Sequence, residues 1–482
     1  MAQASRSSAQ FVQRAFVAIA AIVCLAMAIV TPPFQAADEY LHFYRAYQIS
    51  EGQLVPTRQT GACSGYERDF EETLCLGGAL PRSLLATVRG ASAEDLRFDR
   101  DRKQDLESLR QLWSLALAPG DRQFLKFNTT GLHAPLGYLP QAIGIGLGRT
   151  LSADRLPPVA LMYLGRIANA IVWIAAVSFA IAVAPEAVLV WLAIGLLPMA
   201  LFQAASLSAD VLTNGLACAI VATVWRYRSR PFGSAIVPEI LSIVAALFAV
   251  TKLAYAPMAL VLCLVPPRAF VSTAKRSRAI GRWRWLGTTA LITIALVAVW
   301  SRIVDRIYVP LHPDLDPNAQ IAGILGNPVG FFGTAIATLV GDAGTYLHQF
   351  VGVFGWLDTP LPKLHVALYA VFFLGVLLCK PPRDLRSSPR PLLTDRAIAG
   401  VGLLGSVGLL CVLAYLWNVV GADRIGGIQG RYFIPLAPLL LPTFWGLVSL
   451  PAPKNIERWA IAAAAISGLA AIATLIERYY AI

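Results

Sequence analysis

Long apolar stretches alternate along this chain with short polar connections. A helix needs about 20 mostly apolar residues to cross the hydrocarbon core of a bilayer. Eleven stretches approach that length, and the pattern predicts an all-α polytopic membrane protein. They lie near residues 16–33, 160–183, 187–204, 208–225, 236–251, 253–267, 285–303, 364–379, 396–420, 432–450 and 459–478.

Two further stretches are apolar but interrupted, so that each could be a span, a re-entrant segment or an interfacial helix. Residues 132–149 are rich in glycine and proline, and residues 328–356 contain Asp342 and His348. Lys and Arg accumulate in short cytoplasmic connections, and the strongly basic connections fall on one side only if neither stretch crosses. We therefore expect eleven spans, with the N-terminus inside and the C-terminus outside. The basic residues are Arg226, Arg228 and Arg230, those of 268–284 and 380–396, and Lys454 with Arg458.

This topology divides the chain into five parts. The second part holds 14 of the 28 acidic residues between Asp38 and Asp121 and has the composition of a soluble domain. The parts are a cytoplasmic N-terminus and first span (1–33), a large periplasmic loop with juxtamembrane helices (34–157), spans two to seven (158–303), a second periplasmic loop (304–363) and spans eight to eleven (364–482).

Composition narrows the function classes further. Only 14% of the 482 residues are charged, against about 25% in soluble proteins, which excludes an ordinary soluble enzyme. The net charge of +12 resides largely in the short connections and predicts membrane orientation, not nucleic-acid binding. Cys63 and Cys75 share the second part of the chain, where an oxidising periplasm would permit a disulfide; the sequence leaves bridged and free forms open.

Candidate chemistry begins where the first span ends. On a helix through residues 38–50, Asp38, His42 and Arg45 share one face and offer a carboxylate beside two potential cations. A second carboxylate, Asp210, opens the fourth span at the same predicted membrane face. Two such acids could hold a divalent cation, Mg²⁺ or Mn²⁺, or one could act as a general base. An interfacial salt bridge and a helix N-cap are the competing structural roles.

Three cations at the outer face need an explanation in a topology that keeps positive charge inside. Lys252 lies between spans five and six, Arg431 precedes span ten, and Arg166 lies within span two. Charge-assisted bonds to a phosphate would explain them. Snorkelling toward lipid headgroups is the alternative.

At these positions the sequence resembles a family of bacterial polytopic membrane proteins that is itself similar to the GT-C class of glycosyltransferases. The resemblance implies a GT-C-like fold, a polyprenyl-phosphate-linked sugar donor, Asp38 or its neighbour Glu39 as catalytic base, and a second acid at Asp210. It also implies a juxtamembrane helix at His133 and a donor-phosphate site at Lys252 and Arg431. The matching pieces are Asp38-Glu39-x-x-His42-Phe43-x-Arg45-Ala46-Tyr47-Gln48-Ile49-Ser50, His133-Ala134-Pro135-Leu136-Gly137-Tyr138, Phe354-Gly355-Trp356-Leu357-Asp358-Thr359-Pro360 and Gln429-Gly430-Arg431-Tyr432.

The function expected from these observations is glycosyl transfer to an envelope glycan or lipid acceptor, in the inner membrane and with the active site facing the periplasm. Membrane lipid is an expected partner and nucleic acid is not. A transporter or flippase of lipid-linked saccharides and a non-catalytic envelope-binding protein remain alternatives, although no internal repeat of the kind common in transporters is visible. The expected substrate-binding residues are His42, Arg45, His133, Arg166, Lys252, Asp358, Gln429 and Arg431.

Overall fold

The computed structural model describes residues 2–65, 69–91, 96–270, 275–310, 314–378, 391–448, 453 and 455–480. The chain is mostly helical, at 72%. The basic residues predicted for 380–390 and Lys454 lie outside the described residues. The helices are α1 (Ala2–Val30), α2 (Glu39–Ser50), α3 (Arg82–Gly90), α4 (Leu106–Ser114), α5 (Asn128–Gly131), α6 (Leu139–Ser152), α7 (Pro158–Val183), α8 (Val188–Gly195), α9 (Pro198–Ala204), α10 (Asp210–Tyr227), α11 (Ile236–Thr251), α12 (Lys275–Ile307), α13 (Pro317–Gly326), α14 (Pro328–Gly341), α15 (Ala343–Gly352), α16 (Lys363–Leu378), α17 (Leu393–Tyr415), α18 (Leu440–Phe444) and α19 (Ile456–Tyr479). The 3₁₀ helices include Pro135–Tyr138, Leu253–Leu264 and Gly430–Leu439.

Among the described residues, five helices are long and apolar enough to cross a membrane: α1, α7, α12, α17 and α19. Two sharply bent pairs, one at α8–α9 (73°) and one at α13–α14 (105°), raise the number to seven if each pair is one span. Proline opens α9, α13 and α14, where it is tolerated because the first N–H groups of a helix have no intrahelical acceptor. By the length and composition of its helices, the structure therefore supports a membrane protein with five to seven membrane-spanning segments. The expected total of eleven spans remains a prediction.

The two ends of the helical bundle differ in charge. Arg228 lies 2.7 Å from Asp395 at the start of α17, and the Arg268 guanidinium donates to the Arg228 carbonyl. Next to Asp395, the Arg396 guanidinium donates to the carbonyl of Thr443 in α18. The basic connections around Arg228, Arg268 and Arg396 therefore meet at one end. Because α10 runs for 18 residues from Asp210 to Tyr227, the acidic start of that helix lies about 27 Å away.

A small β-sheet lies in the segment between α2 and α5. Strand β1 (Thr57–Ser64) pairs antiparallel with β2 (Asp69–Pro81), which pairs antiparallel with β3 (Arg122–Lys126). Cys63 and Cys75 form a disulfide between the first two strands. The all-α prediction is therefore incomplete here. It missed the sheet because β1 carries no run of large apolar residues that would indicate a strand.

Candidate functional site

The first carboxylates after α1 have different environments. Glu39 is completely buried, and its two oxygens accept from Arg166 Nε at 2.8 Å and Nη2 at 2.6 Å. The same oxygens accept from the backbone N–H groups of Phe34 and Leu207, both at 3.1 Å. With four donors, this carboxylate has no capacity left for a substrate proton. The expected catalytic role of Glu39 therefore receives no support from the geometry.

Arg166 is also fully occupied. Besides Glu39, its guanidinium donates to the carbonyls of Ala28, Thr31 and Pro32 at 2.7–3.1 Å, and the side chain is fully buried. These carbonyls belong to the end of α1 and the turn that follows it, so Arg166 fixes the direction in which the chain leaves this helix. We therefore assign it a structural role in place of the expected substrate contact.

Asp38 has the opposite environment to Glu39. It begins α2 in the left-handed backbone region (φ 59°), and its side chain makes no capping hydrogen bond. Its half-buried carboxylate forms no hydrogen bond or ion pair with any residue that the structure describes. It does interact electrostatically with Arg431 and Tyr138. The structure thus presents one unpartnered carboxylate close to a cation.

The loop before α10 is held by three buried side chains. Glu39 accepts from the Leu207 N–H, Gln141 Nε2 donates to the Ser208 carbonyl at 2.9 Å, and Asn169 Nδ2 donates to the Ser206 carbonyl at 2.7 Å. Buried polar groups of this kind fix a backbone because leaving any of them unsatisfied is costly. The loop therefore holds Asp210, two residues after Ser208, in a defined position relative to Asp38.

Asp210 pairs with Lys252. The Lys252 Nζ lies 2.8 Å from Asp210 Oδ1 and 4.4 Å from the centre of the Tyr432 ring. The side chains of this pair are 15% and 22% exposed, as expected for groups that line a partly enclosed space. Gln203 Nε2 approaches the other Asp210 oxygen at 3.3 Å.

Arg431 reaches the same place from a distant part of the chain. The Tyr255 hydroxyl donates to the Tyr432 carbonyl at 2.8 Å, which ties the Lys252 segment to the Arg431 segment. Gly430 permits this arrangement, since a Cβ there would lie 2.1 Å from the Tyr346 carbonyl oxygen. Arg431 interacts electrostatically with both candidate acids, and its Nε is buried without a hydrogen-bond partner among the described residues.

Two histidines complete this group. The Tyr138 hydroxyl lies 2.8 Å from His42 Nδ1 and 3.5 Å from His133 Nδ1. Burial lowers the pKa of His42 to about 3, with a smaller contribution from His133, and lowers the pKa of His133 to about 4, with a smaller contribution from Lys252. Both imidazoles are therefore neutral at physiological pH. We call the six residues that come together here the charged cluster: Asp38, His42, His133, Asp210, Lys252 and Arg431.

Of the three other expected substrate-binding residues, Arg45 and Asp358 are already bonded to neighbouring groups, whereas the side-chain oxygen of Gln429 is not bonded to any described residue. Arg45 is fully buried and donates to Gln48 Oε1 and to the Leu54 carbonyl. Asp358 forms a buried ion pair with Arg478 at 2.8 Å. Gln429 precedes Gly430, and its Oε1 is buried without a hydrogen-bond partner among the described residues.

The residues of the cluster fit a metal ion poorly. Within the described part of the chain, no three His, Cys, Asp or Glu side chains are arranged to hold one. The ammonium group of Lys252 already contacts one oxygen of Asp210. A divalent cation held by Asp38 and Asp210 would have to displace that lysine and would gain two protein ligands at most.

Sequence reasoning missed Tyr138 and the residues that hold the Asp210 loop. Tyr138 lies five residues after His133, at the end of a proline-initiated 3₁₀ turn, and an aromatic hydroxyl beside a candidate histidine was a usable signal. Gln141 and Asn169 gave no signal, because their roles depend on contacts across 37 residues or more.

The sequence matches, over residues 21–440, the family described as "Predicted membrane protein (DUF2142)". The chain belongs to this family. No curated protein and no solved structure matches it. The match agrees with the helical, apolar architecture, and it includes every residue of the charged cluster.

Proposed function

We propose that this member of the family is a GT-C-type glycosyltransferase that moves a sugar from a polyprenyl-phosphate donor to an envelope glycan or lipid acceptor. The observation that carries the proposal is the unpartnered carboxylate of Asp38 beside Arg431, with the Asp210–Lys252 pair next to it. A free carboxylate can accept a proton, and fixed cations can stabilise a phosphate leaving group.

In the proposed reaction, Asp38 takes the proton of an acceptor hydroxyl as that oxygen attacks the anomeric carbon of the sugar. The bond between this carbon and the phosphate oxygen breaks, and the polyprenyl phosphate leaves with one more negative charge than it carried in the donor. Lys252 and Arg431 offset that charge. Each positioned electrostatic group of this type typically increases the reaction rate by a factor of about 10²–10³.

The proposal includes the orientation in the membrane. The charged cluster and the basic connections lie at opposite ends of the bundle, and basic connections face the cytoplasm. The cluster would then face the periplasm of a bacterial inner membrane, at the depth where the phosphate of a lipid-linked sugar lies. Eleven spans and a GT-C-like arrangement of them belong to the same proposal.

A transporter or flippase of lipid-linked saccharides is the second candidate. The bent pair α8–α9 favours it, because interrupted helices commonly form transporter binding sites. Gln203 in α9 approaches Asp210, so that the second helix of the bent pair adjoins the charged cluster. The two functions differ in one respect: a transporter moves the intact lipid-linked sugar, whereas a transferase separates the sugar from its phosphate.

The test uses the full chain in proteoliposomes with undecaprenyl phosphate carrying radiolabelled glucose, galactose or mannose. Membrane extract serves as acceptor, and the wild type is compared with Asp38→Asn and with Asp101→Asn, an exposed acid in the same outer segment. We expect label to leave the lipid phosphate with the wild type and Asp101→Asn but not with Asp38→Asn. Equal transfer by Asp38→Asn would exclude this base. Translocation of the uncleaved lipid would establish the transporter instead.

A further inference from the structure

The Tyr138 hydroxyl lies between two imidazoles that come from separate segments. His42 belongs to α2, and His133 precedes the 3₁₀ turn that ends at Tyr138. In both rings the nitrogen that faces the hydroxyl is Nδ1, at 2.8 Å from His42 and 3.5 Å from His133. Tyr138 itself is fully buried, whereas the two histidines are only partly buried.

One hydroxyl proton cannot serve two acceptors. In a neutral imidazole, one nitrogen carries a proton and the other is a lone-pair acceptor. If Tyr138 donates to one Nδ1, the other must carry its own proton and donate to the phenolic oxygen. At least one of His42 and His133 is therefore protonated at Nδ1, and its Nε2 is then a bare acceptor.

Both Nε2 atoms remain available. Neither forms a hydrogen bond with a residue that the structure describes, and neither is among the fully enclosed polar atoms. The two histidines are half-buried, and they lie within the electrostatic range of Asp210 and Lys252. Their free nitrogens are thus accessible within the charged cluster.

We propose that Tyr138 is a positioning residue that sets the tautomers of His42 and His133, so that their Nε2 atoms bind hydroxyl groups of the transferred sugar ring. This inference rests on the proposed function and names the part of the substrate that the histidines contact. A neutral donor–acceptor pair suits a sugar, because each ring hydroxyl can both donate and accept. Phosphate recognition stays with Lys252 and Arg431.

Binding measurements test the inference without requiring turnover. The probes are undecaprenyl phosphate and its glucosyl, galactosyl and mannosyl derivatives, titrated onto the full chain in nanodiscs. We expect the wild type to bind at least one glycosylated lipid more tightly than the bare lipid phosphate. Tyr138→Phe should reduce that preference by about 3- to 10-fold, the value of a neutral hydrogen bond or two, and leave the affinity for undecaprenyl phosphate unchanged. Tyr308→Phe, outside the cluster, is the matched control.

Each result has a definite meaning. A preference that Tyr138→Phe retains would overturn the role of Tyr138 and leave the proposed function standing. Equal binding of bare and glycosylated lipids by the wild type would overturn sugar recognition by the histidines. Failure of the wild type to bind any of these lipids would overturn the proposed function, and the inference with it.

Nitrogen-15 NMR of histidine-labelled protein provides a readout that a merely structural tyrosine would not change. The chain has five histidines, and single His→Gln variants assign His42 and His133. We expect at least one of the two to be protonated at Nδ1 in the wild type and to shift toward Nε2 protonation in Tyr138→Phe. Finding both protonated at Nε2 in the wild type would contradict the proton count.

Discussion

Asp38 and Glu39 are adjacent in the chain, yet Glu39 accepts four hydrogen bonds and the Asp38 carboxylate accepts none from the residues that the structure describes. The pairing of Glu39 with Arg166 fixes the backbone on which Asp38 is carried. A buried, fully bonded ion pair can therefore supply the rigidity that an unpartnered catalytic carboxylate needs. Substitution by the corresponding amide should therefore lower the stability of the protein at Glu39 but not at Asp38.

Glu39→Gln should destabilise the protein. Removing one charge leaves the Arg166 guanidinium buried and uncompensated, which typically costs about 3–5 kcal/mol. Thermal unfolding in detergent should show a clear decrease in Tm. The double variant Glu39→Gln/Arg166→Met should recover part of the loss, because it no longer buries an unpaired charge. A Glu39→Gln protein with an unchanged Tm would contradict the structural assignment.

Asp38→Asn should leave stability nearly unchanged. Asparagine tolerates the left-handed backbone at this position, and no ion pair with the described residues is lost. We expect a Tm within about 1 °C of the wild type, since surface-type substitutions usually change stability by less than about 0.5 kcal/mol. A large decrease in Tm would show that Asp38 is bonded in a way that the structure does not contain.

Exchange of the charges at Asp210 and Lys252 separates structure from function. Each single reversal, Asp210→Lys or Lys252→Asp, places like charges together and should lower the Tm. The double exchange should restore much of the Tm by re-forming the pair, but it moves the cation away from its position 4.4 Å from the Tyr432 ring. The rate of sugar transfer should stay lower than that of the wild type by a factor of about 10²–10³. Recovery of transfer by the double exchange would indicate that the pair is only structural.

The histidines of the cluster make stability depend on pH. Their pKa values are lowered to about 3 and about 4 in the folded protein, against about 6.5 when unfolded. The unfolded chain therefore binds more protons, so stability is greatest above pH 6.5 and decreases as the pH falls toward 4. The Tm measured between pH 8 and pH 4 should show this decrease, and the double variant His42→Gln/His133→Gln should show a weaker one. Parallel curves would contradict the lowered pKa values of the two histidines.

The disulfide should stabilise the small sheet without supporting the charged cluster. Cys63 and Cys75 are 12 residues apart, and closing a loop of that size contributes about 2–3 kcal/mol. The double variant Cys63→Ser/Cys75→Ser should be cut faster by protease in the segment between α2 and α5 and should retain transfer activity. Identical digestion of the two proteins would show that the sheet is stable without the bridge.

The sequence predicted those features that depend on local pattern. Each apolar stretch corresponds to helical structure in the described residues. A long apolar run can be recognised from the local sequence alone, without knowledge of its tertiary contacts. Broken segments such as α8–α9 were harder to predict, since hydropathy does not show the 73° bend between them. The sheet was missed because β1 carries no run of large apolar residues, and because β2 and β3 pair although residues 82–121 separate them.

For the candidate site, sequence reasoning named Asp38, Asp210, Lys252 and Arg431, which interact in the structure, but it did not show which charges neutralise one another. Arg166 and Glu39 are 127 residues apart, and Arg478 and Asp358 are 120 apart. Only tertiary structure brings such residues together, so buried structural pairs and open candidate groups could not be separated beforehand. Tyr138 is intermediate, because His133 lies only five residues before it in the chain, whereas His42 is 96 residues away.

In the proposed transferase, Asp38, Lys252 and Arg431 meet around the phosphate of a polyprenyl lipid, at the end of the bundle opposite the basic connections. An experimental structure of the full chain in a nanodisc with undecaprenyl phosphate would show whether they do. We predict a phosphate within hydrogen-bond distance of both Lys252 and Arg431, with the Asp38 carboxylate facing the same space. A phosphate bound beside Arg228 and Arg268, or the three side chains on separate surfaces, would contradict the account.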